Sequence, residues 1–155
     1  IPPEAEPMLR PNTRYWRARG RASTAVELSQ AMQFLEGTTR QIMTDLQAYD
    51  AFLTPTLALP PQPVEWFNES GDPAEDHHRE LLFTPYTALY NMSGQPAASL
   101  PLHWSADGLP IGAMLAGRPG QDGPLFSLCA QVESAAPWTD RRPPIQPSGA
   151  GTLER

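Results

Sequence analysis

From Leu28 onward the chain places Met32, Leu35, Thr39, Ile42, Leu46 and Tyr49 at alternating steps of four and three, the recurrence that keeps side chains on one face of an α-helix. Thr24-Ala25-Val26-Glu27 precedes the stripe with capping-box spacing, in which the threonine hydroxyl and the glutamate carboxylate each satisfy a backbone N–H of the first turn. A long amphipathic helix is therefore predicted from this cap to Asp50. Gly37-Thr38-Thr39 weakens its middle, because glycine costs about 1 kcal/mol relative to alanine inside a helix, so a kink is expected there.

Ala51-Phe52-Leu53-Thr54 reads as a short buried strand that Pro55 stops. From Leu57 to Gly71, prolines at 60, 61 and 63 and the pair Trp66-Phe67 describe an irregular loop with buried weight. Asp72, Pro73 and Glu75 supply an N-cap, a first-turn proline and an acid near the positive end of a helix dipole, so a short helix follows. Thr84-Pro85 repeats the start signal, and Gly94 suits a left-handed C-cap for a helix over Pro85–Met92. Ala97–Trp104 and Leu109–Gly117 are apolar runs joined by Ser105-Ala106-Asp107-Gly108, whose Asp-Gly pair predicts an antiparallel hairpin. Both runs are apolar on successive residues, which predicts helices over both sheet faces. A last helix from about Pro124 to Ala136 carries Leu125, Leu128, Cys129 and Val132 on one stripe. The order describes an α/β piece, a mixed sheet flanked by helices, with only three strands.

At 155 residues the chain has room for one domain, which would bury roughly 70% of its unfolded surface. Proline from Pro2 to Pro11 and from Pro143 to Pro147 reads as extended or linking polypeptide. This divides the chain into a Pro/Arg-rich segment 1–21, a compact part 22–142 and a disordered tail 143–155. The net charge of -6 argues against nucleic acid or anionic membrane as partner. Arg10, Arg14, Arg17, Arg19 and Arg21, interleaved with Tyr15 and Trp16, admit two readings: a basic-aromatic RNA patch, or a segment that pairs with carboxylates, which the acidic balance favours. Cys129 is the single cysteine, so no intrachain disulfide or thiol metal cage can form and a reducing, cytoplasmic setting is expected. Neither a signal peptide nor a run of 18 apolar residues is visible.

The landmarks Tyr49-Asp50-Ala51-Phe52-Leu53-Thr54-Pro55-Thr56, Phe83 through Asn91 with Gly94-Gln95-Pro96-Ala97, Ser99-Leu100-Pro101 with Gly108-Leu109-Pro110-Ile111-Gly112, and Pro137-Trp138 together resemble the C-terminal third of the amidase signature family. The resemblance covers about residues 20 to 145 in one colinear order. It implies a large mixed sheet wrapped by helices, of which this chain supplies later strands and outer helices. It also implies amide hydrolysis by a serine nucleophile, a second serine preceded by a cis peptide and a lysine base, with a glycine-serine loop as oxyanion hole. None of that machinery maps onto this sequence. The chain has no lysine, and arginine stays protonated and cannot act as a base. The resemblance therefore implies an amidase whose catalytic residues lie upstream, in an N-terminal part that is this chain's partner, with the chain inactive alone and no cofactor required. The competing class is a non-catalytic interaction or regulatory module that keeps the amidase C-terminal shape.

Within the chain, candidates for lining a pocket for a small-molecule amide are Thr54, Pro55 and Thr56 at a strand end, the Trp66-Phe67 loop, Tyr86 and Asn91. Each has a structural alternative: strand packing for Thr54 and Thr56, core for Trp66 and Phe67, and a loop-to-loop tie for Asn91. His77-His78 in its acidic stretch reads as a solvated face, because adjacent helical histidines point about 100° apart and lack the i, i+4 spacing of a zinc helix. Cys129 on an apolar stripe reads as a small buried hydrophobe, not as a partner of His103.

Overall fold

The computed structural model describes residues 2–142; the expected tail 143–155 lies outside them. The first segment departs from the extended polypeptide expected of its prolines. Pro3–Met8 form a 3-10 helix and Pro11–Ala22 an α-helix, α1. Pro11 opens α1 at its first turn, where a missing N–H removes no helical hydrogen bond and the fixed φ favours the helix. The arginines here pair and stack. Arg17 bridges to Glu6 at 2.8 Å, Arg19 lies over the Tyr15 and Trp16 rings, and Trp16 meets the His77 ring edge-on at 4.5 Å.

The helix α2 runs without interruption over Ala25–Asp45, Gly37 included, and ends before Asp50. Its capping box forms as predicted: Glu27 N–H donates to the Thr24 hydroxyl, and Thr24 N–H donates to the Glu27 carboxylate at 2.7 Å. The stripe, in contrast, is covered only near its C-terminal end. Thr39, Ile42 and Leu46 are half-buried, whereas Leu28, Met32, Leu35 and Tyr49 are exposed. Periodicity reports that a face is apolar, not that the same chain covers it.

Strand β1 spans Ala51–Pro55, helix α3 Pro73–Phe83 and helix α4 Thr87–Ser93. Asp72 caps α3 by accepting from Ala74 N–H, and Gly94 closes α4 at φ 68°, a left-handed value that costs glycine least. Strands β2, Ala97–Trp104, and β3, Pro110–Gly117, form the predicted hairpin, with Gly108 at φ 81° in its turn. The sheet order is β1-β3-β2 and both pairings are antiparallel. Helix α5, Asp122–Ala135, lies on one face, where Leu100, Leu115 and Leu125 form the buried cluster and Leu128, Cys129, Val132 and Trp138 pack around it. The opposite face carries Met114 and Ala116, both buried, and Phe52, which shares a small cavity with Met43 of α2 and Leu46 just past its end. Helical cover of the sheet is therefore densest over β2 and β3 on the α5 side, where Leu100 and Leu115 are buried, and partial elsewhere: Leu53, on the α5 side of β1, is 66% exposed. No helix among the described residues is long and apolar enough to cross a membrane.

Two outcomes follow from this packing. Leu125→Ala should lower unfolding stability by ~2–5 kcal/mol in urea titration, the range for emptying a buried leucine site; an effect below about 1 kcal/mol would show that the α5 cluster is not the core. The Glu27 carboxyl is held below the ordinary glutamate range, first by the Thr24 backbone N–H and second by the Thr24 hydroxyl. Its folded pKa lies below its unfolded one, so its contribution is present above the unfolded value and is lost as pH falls through the folded one. Acidification through that window should lower the protection factors of the first-turn amides of α2, measured against their intrinsic exchange rates, and Glu27→Gln should flatten this dependence.

Candidate functional site

The sequence candidates fall in two groups. Thr54, Pro55 and Thr56 occupy the end of β1 and the residue beyond it. Register places Thr54 opposite Met114, and Thr56 N–H extends the pairing by donating to the Gly112 carbonyl at 3.0 Å. The side chains of Thr54 and Thr56 thus share the face of Met114 and Gly112, turned away from α5. Pro55 is exposed on the other side. The Thr54 hydroxyl is buried without a hydrogen-bond partner among the described residues. The Thr56 hydroxyl meets the Ser99 hydroxyl of β2 at 2.6 Å. A cavity of about 120 Å³ opens there, lined by Thr56, Leu57, Leu59, Ser99, Ile111 and Gly112 among others.

Trp66 and Phe67 form the second group, in a 3-10 turn, Trp66–Asn68. Both are half-buried and meet edge-on at 4.9 Å, and each also packs against Phe83 at the end of α3. Arg79 reaches this turn from α3, donating to the Trp66 carbonyl at 3.2 Å with its guanidinium over the Trp66 ring. These two aromatic residues therefore stack within a small cluster, and they do not line the Thr56 cavity. A single backbone hydrogen bond joins the groups: Ala58 N–H donates to the Phe83 carbonyl at 3.0 Å.

Tyr86 is half-buried just before α4, and Asn91 is exposed on α4. The loop tie expected of Asn91 is made by Gln95 instead. Gln95 is 7% exposed, donates from Nε2 to the Gly117 carbonyl at 2.8 Å and accepts from the Ser93 hydroxyl, so the end of α4 is fastened to the end of β3. Its signal in sequence was its place between a helix-ending glycine and a strand-opening proline. Ser99 and Gly112 were also missed as a pair. A glycine inside an apolar strand marks close approach by another group, and Gly112 was read only as a landmark.

The chemistry available here is modest and local: two hydroxyls and backbone groups beside an apolar cavity, which can accept or donate hydrogen bonds but supply no base. The single cysteine, Cys129, packs against the α5 cluster. His77 lies 3.3 Å from the Glu80 carboxylate and against Trp16, as part of the α1–α3 contact.

Comparison with known proteins adds what the local chemistry lacks. The family model described as Amidase matches residues 4–126, beginning upstream of residue 20, where the resemblance is expected to start, and stopping short of Pro137-Trp138. The putative amidase AmiB2 of Mycobacterium tuberculosis (strain ATCC 25618 / H37Rv) is 48% identical over 61 residues, 39% of this chain and 13% of that protein. A 6-aminohexanoate-cyclic-dimer hydrolase of Pseudomonas sp. (strain NK87) is 35% identical over 103 residues, 63% of this chain and 21% of that protein. Among solved structures, that of a 6-aminohexanoate cyclic dimer hydrolase superposes with a TM-score of 0.73 at 27% identity, covering 82% of this chain and 28% of the other. The chain thus spans between 13% and 21% of the length of these two curated relatives. Its α/β architecture matches a portion of the fold these enzymes share, and with more than half its length inside the family match, the chain belongs to the amidase family.

Proposed function

We propose that this chain is the C-terminal segment of an amidase that cleaves the C–N bond of a small carboxamide, and that it contributes sheet, covering helices and part of the pocket wall while the catalytic residues stand upstream. The observation that carries the reading is a family match over residues 4–126 in a chain without a single lysine. The serine–cis-serine–lysine chemistry implied by the family resemblance needs a neutral amine to accept the nucleophile's proton and backbone N–H groups to meet the developing oxyanion. This chain provides no such amine. Its share is positional, with Thr54 and Thr56 at the sheet end and the Trp66-Phe67 turn nearest to substrate. Tyr86, just before α4, and Asn91, exposed on it, complete the lining proposed for a small amide.

The exposure pattern supports the same division. Val26, Leu28, Met32 and Phe34 on α2 and Leu53 on β1 are each more than half exposed. So much uncovered apolar surface fits a segment completed by further polypeptide better than a module that works alone. The setting that fits a single unpaired cysteine is the reducing cytoplasm.

Amine release from a simple aryl amide and from a linear aliphatic amide tests the proposal. The purified chain alone should give no turnover above buffer, and the chain joined with its upstream lysine-bearing polypeptide should hydrolyse at least one of the two. Turnover by the chain alone would overturn the division of labour. Absence of amide hydrolysis by the complete enzyme, with a cooperative melt and monomeric sedimentation of the chain alone, would favour the interaction module.

A further inference from the structure

Gly112 sits on the central strand, with Thr56 directly beside it on one flank and Ser99 one diagonal step away on the other. Neighbouring strands lie about 4.8 Å apart, so the two flanking chains are separated by roughly 9–10 Å. A side chain on the middle strand ordinarily fills that interval. Here there is none, and the Thr56 and Ser99 hydroxyls cross over the bare backbone to meet at 2.6 Å. A β-carbon built on Gly112 would stand 2.5 Å from Ser99 Oγ and 2.6 Å from Thr56 Oγ1, closer than real β-carbons come to such atoms. The hydroxyl pair therefore requires glycine at this position.

Thr56 is also where the chain leaves the sheet. The next fifteen residues, 57–71, run over the surface to the Trp66-Phe67 turn before α3 begins. Their far end is held by Phe83 and by Arg79, and Ala58, at their start, donates its N–H to the Phe83 carbonyl. Their near end is held at Thr56, through its N–H to Gly112 and its hydroxyl to Ser99. Only the second of these bonds fixes Thr56 to the third strand.

We infer that the Thr56–Ser99 hydroxyl pair, closed over Gly112, is a positioning clasp that seats segment 57–71 against the three-stranded sheet and thereby sets the wall it presents to substrate. Thr56 and Ser99 act as positioning residues, not as catalytic ones. The substrate part of this inference rests on the amidase reading above; the seating part does not.

The test uses the complete enzyme with Thr56→Val, Ser99→Ala, their combination, and Thr56→Ser, read by steady-state kinetics and by amide hydrogen exchange. Losing one neutral hydrogen bond should raise KM about fivefold with kcat within about twofold. The double variant should be no worse than either single one, because both remove the same bond. Thr56→Ser, which keeps the hydroxyl, should restore parent-like amide exchange in residues 57–71. In exchange, residues 57–71 should open faster in Thr56→Val and Ser99→Ala while α5 is unchanged. Gly112→Ala should reproduce the faster exchange by forcing the hydroxyls apart. Multiplying effects in the double variant, unaltered exchange in 57–71, or a lowered melting temperature with KM unmoved would overturn the clasp. If the parent enzyme hydrolyses no amide, the functional reading fails, and the exchange result alone then decides whether the segment is clasped.

Discussion

The two-sided pairing of β3 is the constraint on which the described structure depends. It hydrogen-bonds to β1 on one side and β2 on the other, and its residues alternate between two quite different environments. Ala113, Leu115 and Gly117 look toward α5, where Leu115 joins Leu100 and Leu125 and Gly117 admits the Leu125 side chain at close quarters. Gly112, Met114 and Ala116 look the other way, toward Phe52, Thr54 and the hydroxyl pair. A shift of one residue in this strand would exchange the two sets. It would put Met114 against α5 and Ile111 or Ala113 where only glycine fits. Register here is specified from both faces at once.

The fastening around β3 is spread over both ends of the strand. Gln95 fixes the end of α4 to the Gly117 carbonyl, and Thr56 meets Gly112 near the other end. Arg118, just past the strand, donates to the Tyr49 carbonyl and pairs with Asp50, so the approach to β1 is held as well. These ties are polar contacts between segments far apart in sequence. They explain how a chain with so small a buried cluster, Leu100, Leu115 and Leu125, still has a defined arrangement.

What could be read in the sequence was local. The capping box at Thr24, the Asp72-Pro73 start, the Gly94 stop and the Asp107-Gly108 turn all depend on residues within one turn of each other, and each formed where its spacing put it. The stripe on α5 also faces the sheet as read, because Leu125, Leu128, Cys129 and Val132 have their partner nearby in β3. The α2 stripe was equally regular, yet its N-terminal half is uncovered, since burial depends on a neighbour that no helical period encodes. Pro11 misled for a related reason: proline density was read as linker, whereas a proline at the first turn starts α1. At the candidate site, Thr54 and Thr56 could be placed at a strand end from sequence, but Ser99 could not be joined to them. Their meeting is set by a glycine on a third strand, fifty-six positions from Thr56.

The prolines in the two outer strands bear on how far this sheet can grow. Thr56 N–H bonds to Gly112 and Gly117 N–H bonds to the Pro96 carbonyl; alternation along each ladder then turns the nitrogens of Pro55 in β1 and Pro101 in β2 away from β3. Neither proline removes a bond from the existing sheet. Each does remove a donor from an outward edge, and β2 also breaks register between Pro101 and His103. A strand laid along β1 would find N–H groups at Ala51 and Leu53 and then none at Pro55, and one laid along β2 would find them at Ala97 and Ser99 before the same interruption. Both margins accept a short ribbon and resist a long one, which limits fibril-like stacking of a chain that otherwise leaves much apolar surface in view.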